Sequence, residues 1–302
     1  MTRQLASLTV ILLALGLTMS CAEVVKVGTS IGEASGYLSS TEKASIDKVA
    51  DKTERAARPI TDSEEYYIGR AVAARFLGQY RLLDDPKATL YINEIGQTVA
   101  RASDRPRTHG GYHFAILDTD DINAFACPGG IVLVTRGMLK MARSEDEVAG
   151  ILAHEVGHVN HQDGIASISQ ARWGEVLAAA GTGTAQSFAG VELGSLVSLF
   201  EDAINDVFKT LVVNGYSRVQ ESKADQAALR YTRRAGYNPQ ALADFLARLE
   251  ESGVSGGFRT THPGTAERLQ EVKATLAGSG LMPVTAAQKQ RTARFQALNL
   301  SG

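Results

Sequence analysis

The stretch His154-Glu155-Val156-Gly157-His158 decides how this chain is built around its centre. It lies in a segment whose apolar residues recur every three or four positions, which is the spacing of an amphipathic helix. Ser144 and Glu147 stand at the positions of a capping box, a pattern that marks a helix start. We therefore predict a helix from Glu145 to His161. The residues expected on its buried face are Val148, Ile151, Leu152, Val156 and Val159.

The two histidines of this stretch have the spacing of a metal site. His154 and His158 are four residues apart, so they project from one face of the helix on successive turns. Two imidazoles placed in this way can bind one Zn²⁺, and Glu155 then faces a metal-bound water instead of the metal. The alternative is a pair of surface histidines on an amphipathic helix, and the rest of the chain must supply a third ligand to exclude it.

A third ligand is available near the start of a later helix, predicted from Ser217 to Arg234. Glu221 and Asp225 are four residues apart there and share a face. Glu221 can complete a site of two histidines and one glutamate. Asp225 can accept a hydrogen bond from the second ring N–H of a ligand histidine and so fix its tautomer. The alternative is a solvated charged face, since Arg218 and Lys223 lie nearby.

Composition limits the class of protein. The 302 residues carry a formal net charge of -2, which gives no sign of a nucleic-acid partner. This length is enough for one substantial core and a small appendage. We identify no stable protein partner from the sequence.

The first residues predict a targeting segment. Arg3 precedes an apolar run from Leu5 to Met19, which is short for a membrane span and suits a signal peptide. Residues 17–21 resemble the processing site of a bacterial lipoprotein, in which Cys21 carries the lipid. We therefore expect a signal peptide over 1–20 and a lipid anchor to the outer membrane at Cys21; the alternative is ordinary secretion into the periplasm. Cys127 then has no disulfide partner, and we expect it to be a small buried residue or an inhibitory zinc ligand.

The remaining pattern predicts a mainly helical α+β fold. Residues 21–60 are expected to form a tether that is helical over about 41–55, and 281–302 a loosely attached tail. One folded domain would occupy 61–280. The Pro128-Gly129-Gly130 turn predicts a hairpin near 123–135, packed on the helix of the two histidines. The other predicted elements are helices at 61–79, 85–102, 136–143, 239–252 and 262–276 and a strand at 112–117. Residues 162–215 are expected to form a helix hairpin or a lid over a cleft.

Several motifs together resemble a known family. They are Asn123-Ala-Phe-Ala, Pro128-Gly-Gly, Thr135-Arg-Gly, His154-Glu-Val-Gly-His158, Ser217-Arg218, Glu221-x-x-x-Asp225, Gly236-Tyr-Asn-Pro239 and Thr261-His-Pro263. Between Thr61 and Leu276 the chain resembles the HtpX-like and CAAX-prenyl-endopeptidase-like zinc metallopeptidases, which are gluzincins of metallopeptidase family forty-eight. The resemblance is closer to their secreted bacterial, lipoprotein-type members. The membrane helices of some relatives and the helical repeats of others are absent, which leaves partner binding open.

The resemblance implies roles for particular residues. His154, His158 and Glu221 would be the zinc ligands, Glu155 the catalytic carboxylate, and His262 would lie near the metal. His262 is then the first candidate for stabilising the oxyanion, ahead of Tyr216 and Arg218; the alternative is that His262 caps a helix before Pro263. We expect a zinc metalloendopeptidase that binds an extended peptide at the edge of the hairpin sheet. Its substrates, by resemblance, would be unfolded or misassembled polypeptides of the cell envelope. The alternative is a catalytically silent peptide-binding or chaperone module.

Overall fold

The computed structural model describes residues 21–47, 60–168, 201–253, 256–278 and 285–298. The described residues fall into two compact units, one formed by 21–47 with Ile60 and the other by the residues from Thr61 onward. Over these ranges no helix combines the length and the apolar character that crossing a membrane requires.

The first unit contains more helix than the sequence predicts. A helix, α1, covers Cys21–Ala34, where the sequence predicts irregular chain. A second helical run covers 40–47, in agreement with the predicted helix; 48–55 lie outside the described residues. The Thr29 hydroxyl donates a 2.6 Å hydrogen bond to Asp47, so the two helices contact each other. This contact between distant residues has no signature in local periodicity.

The second unit consists of helices around one small sheet. In chain order its helices are α2 (Asp62–Leu77), α3 (Pro86–Arg101), α4 (Arg136–Met141), α5 (Glu145–Asn160), α6 (Asp163–Ala166), α7 (Glu201–Lys209), α8 (Arg218–Arg234), α9 (Gln240–Glu251), α10 (Phe258–Thr261), α11 (Thr265–Ala277) and α12 (Ala286–Gln296). Its strands are β1 (His113–Leu117), β2 (Ala124–Cys127) and β3 (Ile131–Thr135). A mainly helical α+β fold with a small sheet, of the zincin-like kind, is confirmed.

Helix α5 forms where its sequence predicts. Every residue of its predicted apolar stripe is buried. The Ser144 hydroxyl accepts from the Glu147 N–H, as an N-cap should. The predicted return bond of a capping box is absent, because Glu147 instead accepts from the Arg143 N–H and from both terminal nitrogens of Arg248, at 2.6 and 2.7 Å. The Glu147 carboxylate, which the local sequence assigns to the cap, is thus engaged by a longer-range ion pair with Arg248.

The sheet places an edge strand beside α5. Its strand order is β1-β3-β2, with β1 parallel to β3 and β2 antiparallel to β3. The predicted hairpin is therefore confirmed. Its turn contains Gly129 and Gly130 at φ 74° and 108°, which only glycine adopts readily. Helix α3 packs on β1, and α5 packs on β2 and β3.

The predicted start of the last domain helix is wrong. Gly264 has a left-handed φ of 80°, which does not fit a right-handed helix. Helix α11 therefore begins only at Thr265. His262 therefore does not cap α11. It ends the short helix α10, where its N–H donates to the Phe258 carbonyl at 2.7 Å.

The predicted loose tail is also wrong for residues 286–296, which form α12. Arg291 donates to Asp146 at 2.8 and 3.0 Å, and Arg294 donates to Glu145 at 2.6 Å. Both acids lie in the first turn of α5 and are almost fully buried, so each needs a cation close by. Docking of α12 follows from this need, which sequence periodicity does not reveal.

The segment predicted as a helix hairpin or a lid lies largely outside the described residues, which omit 169–200. Its described end consists of α7 and a π-helical turn over Thr210–Asn214. Ile204, Val207 and Leu211 are buried there. The choice between hairpin and lid stays open.

Candidate metal centre

Four side chains that are far apart in sequence converge on one buried point. His154 and His158 come from α5, Glu221 from α8, and His262 from the link between α10 and α11. One ligand atom of each lies within 4.8 Å of the others. Helix α8 packs along α5, and this contact brings Glu221 to the two histidines. The structure thus brings together the three predicted ligands and the predicted neighbour.

The spacing of these atoms fits a tetrahedral cation. The Nε2 atoms of His154 and His158 are 3.1 Å apart, and each lies 3.4 Å from an oxygen of Glu221. Tetrahedral zinc with ligands at 2.0–2.1 Å requires ligand atoms about 3.3 Å from one another. His262 Nδ1 keeps the same spacing, at 3.3 Å from His154 Nε2 and 3.0 Å from Glu221 Oε1.

The orientation of His154 depends on two further residues. Its Nδ1 lies 2.9 Å from Asp225, the contact that the sequence predicts for Asp225. Asp225 is in turn held by Arg268, which donates to both of its oxygens at 2.7 Å. Sequence reasoning missed Arg268, although a signal was present. Arg268 occupies a position in the buried stripe of α11, whose members are Thr265, Arg268, Val272 and Leu276.

His158 has an equivalent partner that sequence reasoning also missed. Its Nδ1 lies 2.8 Å from the buried carboxylate of Asp163, just beyond the end of α5. Gln162 turns the chain back at this point, with a left-handed φ of 55° that a non-glycine residue rarely adopts. Its amide donates to the buried Glu65 at 2.8 Å, which stabilises the turn. No local pattern predicts such a turn, so spacing alone could not find Asp163.

The charges of the centre call for a cation. Glu155, Asp163, Glu221 and Asp225 are all buried, and Arg268 is the one arginine or lysine in ion-pair contact with them among the described residues. Burial lowers the pKa of His158, but Asp163, Glu221 and Glu155 outweigh it and raise that pKa to about 10. The site therefore attracts positive charge strongly.

Three carboxylate oxygens of the centre lack hydrogen bonds among the described residues. Two of them are the oxygens of Glu155, although Nε2 of His262 lies 3.7 Å from one of these. Oε2 of Glu221 lies 2.7 Å from Arg268 but outside hydrogen-bond geometry. Buried orphan oxygens of this kind are rare unless a ligand completes them. The donor set and these orphans fit a divalent cation held by His154, His158 and Glu221.

The other candidate residues have different surroundings. Tyr216 is buried, stacks on His158 with ring centroids 4.1 Å apart, and has a hydroxyl that finds no hydrogen-bond partner among the described residues. The Arg218 side chain is 74% exposed and pairs with Glu267, so it is not part of the buried centre. Cys127 is fully buried, as expected, and is not among the clustered ligand atoms.

Comparison with known proteins identifies the family of this chain and several relatives. Residues 86–276 match Peptidase family M48, which is more than half of the chain. The beta-barrel assembly-enhancing protease of Escherichia coli (strain K12) is 24% identical over 241 residues, or 76% of this chain and 47% of that protein. Metalloprotease LoiP of the same organism is 29% identical over 172 residues, covering 56% of this chain and 64% of that protein. Metalloprotease YcaL, also from it, is 30% identical over 172 residues, covering 55% and 62%. The chain thus spans less than two thirds of each of these relatives.

The contacts of Asp163 with His158 and of Asp225 with His154 lead to a prediction about metal affinity. Asp163→Ala and Asp225→Ala each remove the acceptor of a ligand histidine's ring N–H. We expect each variant to bind Zn²⁺ about 10- to 100-fold more weakly, because the ligand loses its fixed tautomer and orientation. Competition with a chromogenic chelator measures the affinity. Asp244→Ala, which removes an exposed carboxylate on α9, is the control; equal affinities for all three variants would contradict the assignment.

Proposed function

The chain belongs to Peptidase family M48, and from this premise we propose that it is a zinc-dependent endopeptidase. The observation that carries the proposal is the buried, unpartnered carboxylate of Glu155 beside His154, His158 and Glu221. A carboxylate without hydrogen bonds in a dry site is costly unless a proton or a donor reaches it. Attack of water on a peptide bond supplies such a proton.

Each residue has a definite task in this proposal. His154, His158 and Glu221 would hold the cation, which when bound acts as a Lewis acid and lowers the pKa of a water. Glu155 accepts the proton of the water that attacks the peptide carbonyl and then passes it to the leaving amine. Asp163, Asp225 and Arg268 keep the histidines and Glu221 in place.

His262 has two possible tasks, and its position favours one of them. Its Nδ1 lies at the spacing of a fourth donor around the centre. We propose that His262 closes the centre in the resting state, and that it must withdraw before a substrate carbonyl binds. The alternative is that His262 donates a hydrogen bond to the oxyanion, with the unpartnered Tyr216 hydroxyl as the next candidate.

We also propose where the protein acts. The apolar run before Cys21 supports lipid attachment at this residue and a location on the periplasmic side of the outer membrane. The name of one relative, beta-barrel assembly-enhancing protease, supports substrates among unfolded or misassembled envelope polypeptides. An extended substrate would pair with β2, which within the described residues pairs with β3 alone.

The first prediction separates an enzyme from a silent binding module. Glu155→Gln keeps the shape of the side chain and should keep zinc, but it removes the proton acceptor. We expect cleavage of unfolded casein to fall by about 10²–10⁴-fold. Glu221→Gln should instead lower zinc occupancy, because a ligand is weakened. Zinc content and peptide release are measured for both variants. Cleavage by Glu155→Gln at the wild-type rate would show that the mechanism is wrong.

The second prediction concerns His262. If it closes the centre at rest, His262→Ala should raise the rate of casein cleavage while zinc stays bound through the other three residues. His113→Ala, on the surface at the start of β1, is the matched histidine control. A fall of about two to three orders of magnitude would instead assign His262 to the oxyanion. An unaltered rate would contradict both tasks.

The third prediction concerns Cys21. We expect intact-mass analysis of the native protein to find a lipid on this residue, and the protein to fractionate with outer membranes. A Cys21→Ser protein should be released in soluble form, since the thiol that carries the lipid is gone. A native protein whose mass includes no lipid would remove the proposed anchor.

A further inference from the structure

A small cavity lies beside the edge strand. Its volume is about 240 Å³, below the range of about 300–1,000 Å³ that is typical of small-molecule sites. Its size therefore suits one amino-acid side chain better than a whole ligand. The lining residues are Tyr80, Asp121, Asn123, Phe125, Thr135, Val212, Gly257, Thr260 and Thr261.

The cavity is adjacent to the proposed catalytic centre. Phe125 lines it, and Cys127, two residues further along β2, lies on the same face of the strand. Helix α5, which carries Glu155, packs on β2, so the cavity and Glu155 lie beside the same strand.

The opposite wall of the cavity also lies next to the proposed catalytic centre. Thr260 and Thr261 line the cavity and directly precede His262. The Thr261 hydroxyl donates to the Asn123 side chain at 3.0 Å, which ties this wall to the start of β2. A peptide paired with β2 would therefore direct a side chain near its scissile bond toward this cavity.

The chemistry of the lining selects among side chains. Tyr80, Phe125 and Val212 offer apolar surface, and Asp121 carries the single charge among the lining residues. Asp121 is exposed, so its carboxylate lies at the rim. The neighbouring Asp118 and Asp120 are paired with Arg136, and Asp120 also with Lys140. Among the described residues, no lysine, arginine or histidine forms an ion pair with Asp121.

We propose that this cavity is a specificity pocket that accepts a lysine or arginine side chain of the substrate, with the alkyl stem on Phe125 and Val212 and the charge at Asp121. The inference rests on the proposed peptidase function and adds to it a substrate preference. An extended polypeptide with basic residues next to the cleaved bond is then the preferred substrate. In that complex the Asp121 carboxylate would gain the cationic partner that it lacks among the described residues.

Two arms test the pocket. In the first, the zinc-loaded wild type digests reduced, alkylated lactalbumin, and mass spectrometry maps the cleaved bonds. We expect lysine and arginine to be enriched at one fixed position within two residues of the bond. Asp121→Asn should lower that enrichment by about fivefold, the effect of one exposed ion pair. Asp121→Lys should replace it with enrichment of glutamate and aspartate, a result that misfolding cannot produce.

The second arm measures binding without turnover. In a Glu155→Gln background, fluorescence anisotropy compares peptides that differ only in lysine, norleucine or glutamate at that position. The lysine peptide should bind tightest, and the ratio of lysine to norleucine affinity should fall about fivefold with Asp121→Asn. Asp120→Asn is the matched control, because Asp120 already pairs with Arg136 and Lys140, and it should keep the wild-type ratio.

The outcomes for the pocket and for the enzyme are distinct. Cleavage without a basic preference, or equal effects of Asp121→Asn and Asp120→Asn, would overturn the pocket and leave the peptidase function standing. Absence of metal-dependent cleavage would overturn the peptidase function, while the binding arm would still decide the pocket.

Discussion

Four carboxylates buried around one point cannot remain ionised in a protein interior unless cations accompany them. This requirement governs the arrangement of the central helices. Arg268 meets part of it, contacting Asp225 and Glu221 at 2.7 Å while its own side chain is almost fully buried. It must therefore reach the centre from α11, which fixes α11 against α8. The remaining negative charge is why the two histidines and Glu221 suit a divalent ion.

The same rule applies at the other end of α5. Its first turn carries Glu145, Asp146 and Glu147, all buried, where the helix N-terminus already favours negative charge. Each is paired with an arginine from a later helix, Arg294 and Arg291 from α12 and Arg248 from α9. The helix is thus held by ion pairs at its start and, near its end, by the contacts of His154 with Asp225 and of His158 with Asp163.

Local sequence was sufficient for much of this fold. Helices α2, α3, α5 and α8 all form where the sequence predicts helices, and α2 and α8 begin with complete capping boxes at Thr61 and Ser217. The hairpin followed from Pro128-Gly129-Gly130. His154, His158, Glu221 and Asp225 could be proposed from spacing, because helix geometry fixes which side chains share a face. His262 was expected near them only from the family resemblance. Their roles in catalysis are proposals that the variants above address.

What escaped prediction depends on contacts between distant elements. Asp163 reaches His158 only because Gln162 adopts a left-handed conformation stabilised by Glu65. The sequence of α12 is typical of a polar tail, and only its ion pairs with the buried acids of α5 explain why it docks. The parallel pairing of β1 with β3 requires a crossover that periodicity does not encode. In each case the decisive interaction is an ion pair, hydrogen bond or backbone pairing between residues that are far apart in the sequence.

The docking of α12 on α5 also has a consequence for the order in which the molecule matures. Arg294 and Glu145 are 149 positions apart, and His154 and His262 are 108 apart. A ribosome makes the helix of the two histidines long before it makes these partners, and protein chains gain structure from the N-terminus as they emerge. A chain that ends before Arg291 therefore has a helix α5 whose acids Glu145 and Asp146 lack their arginines. The cluster of His154, His158, Glu221 and His262 is likewise incomplete until the chain extends past His262.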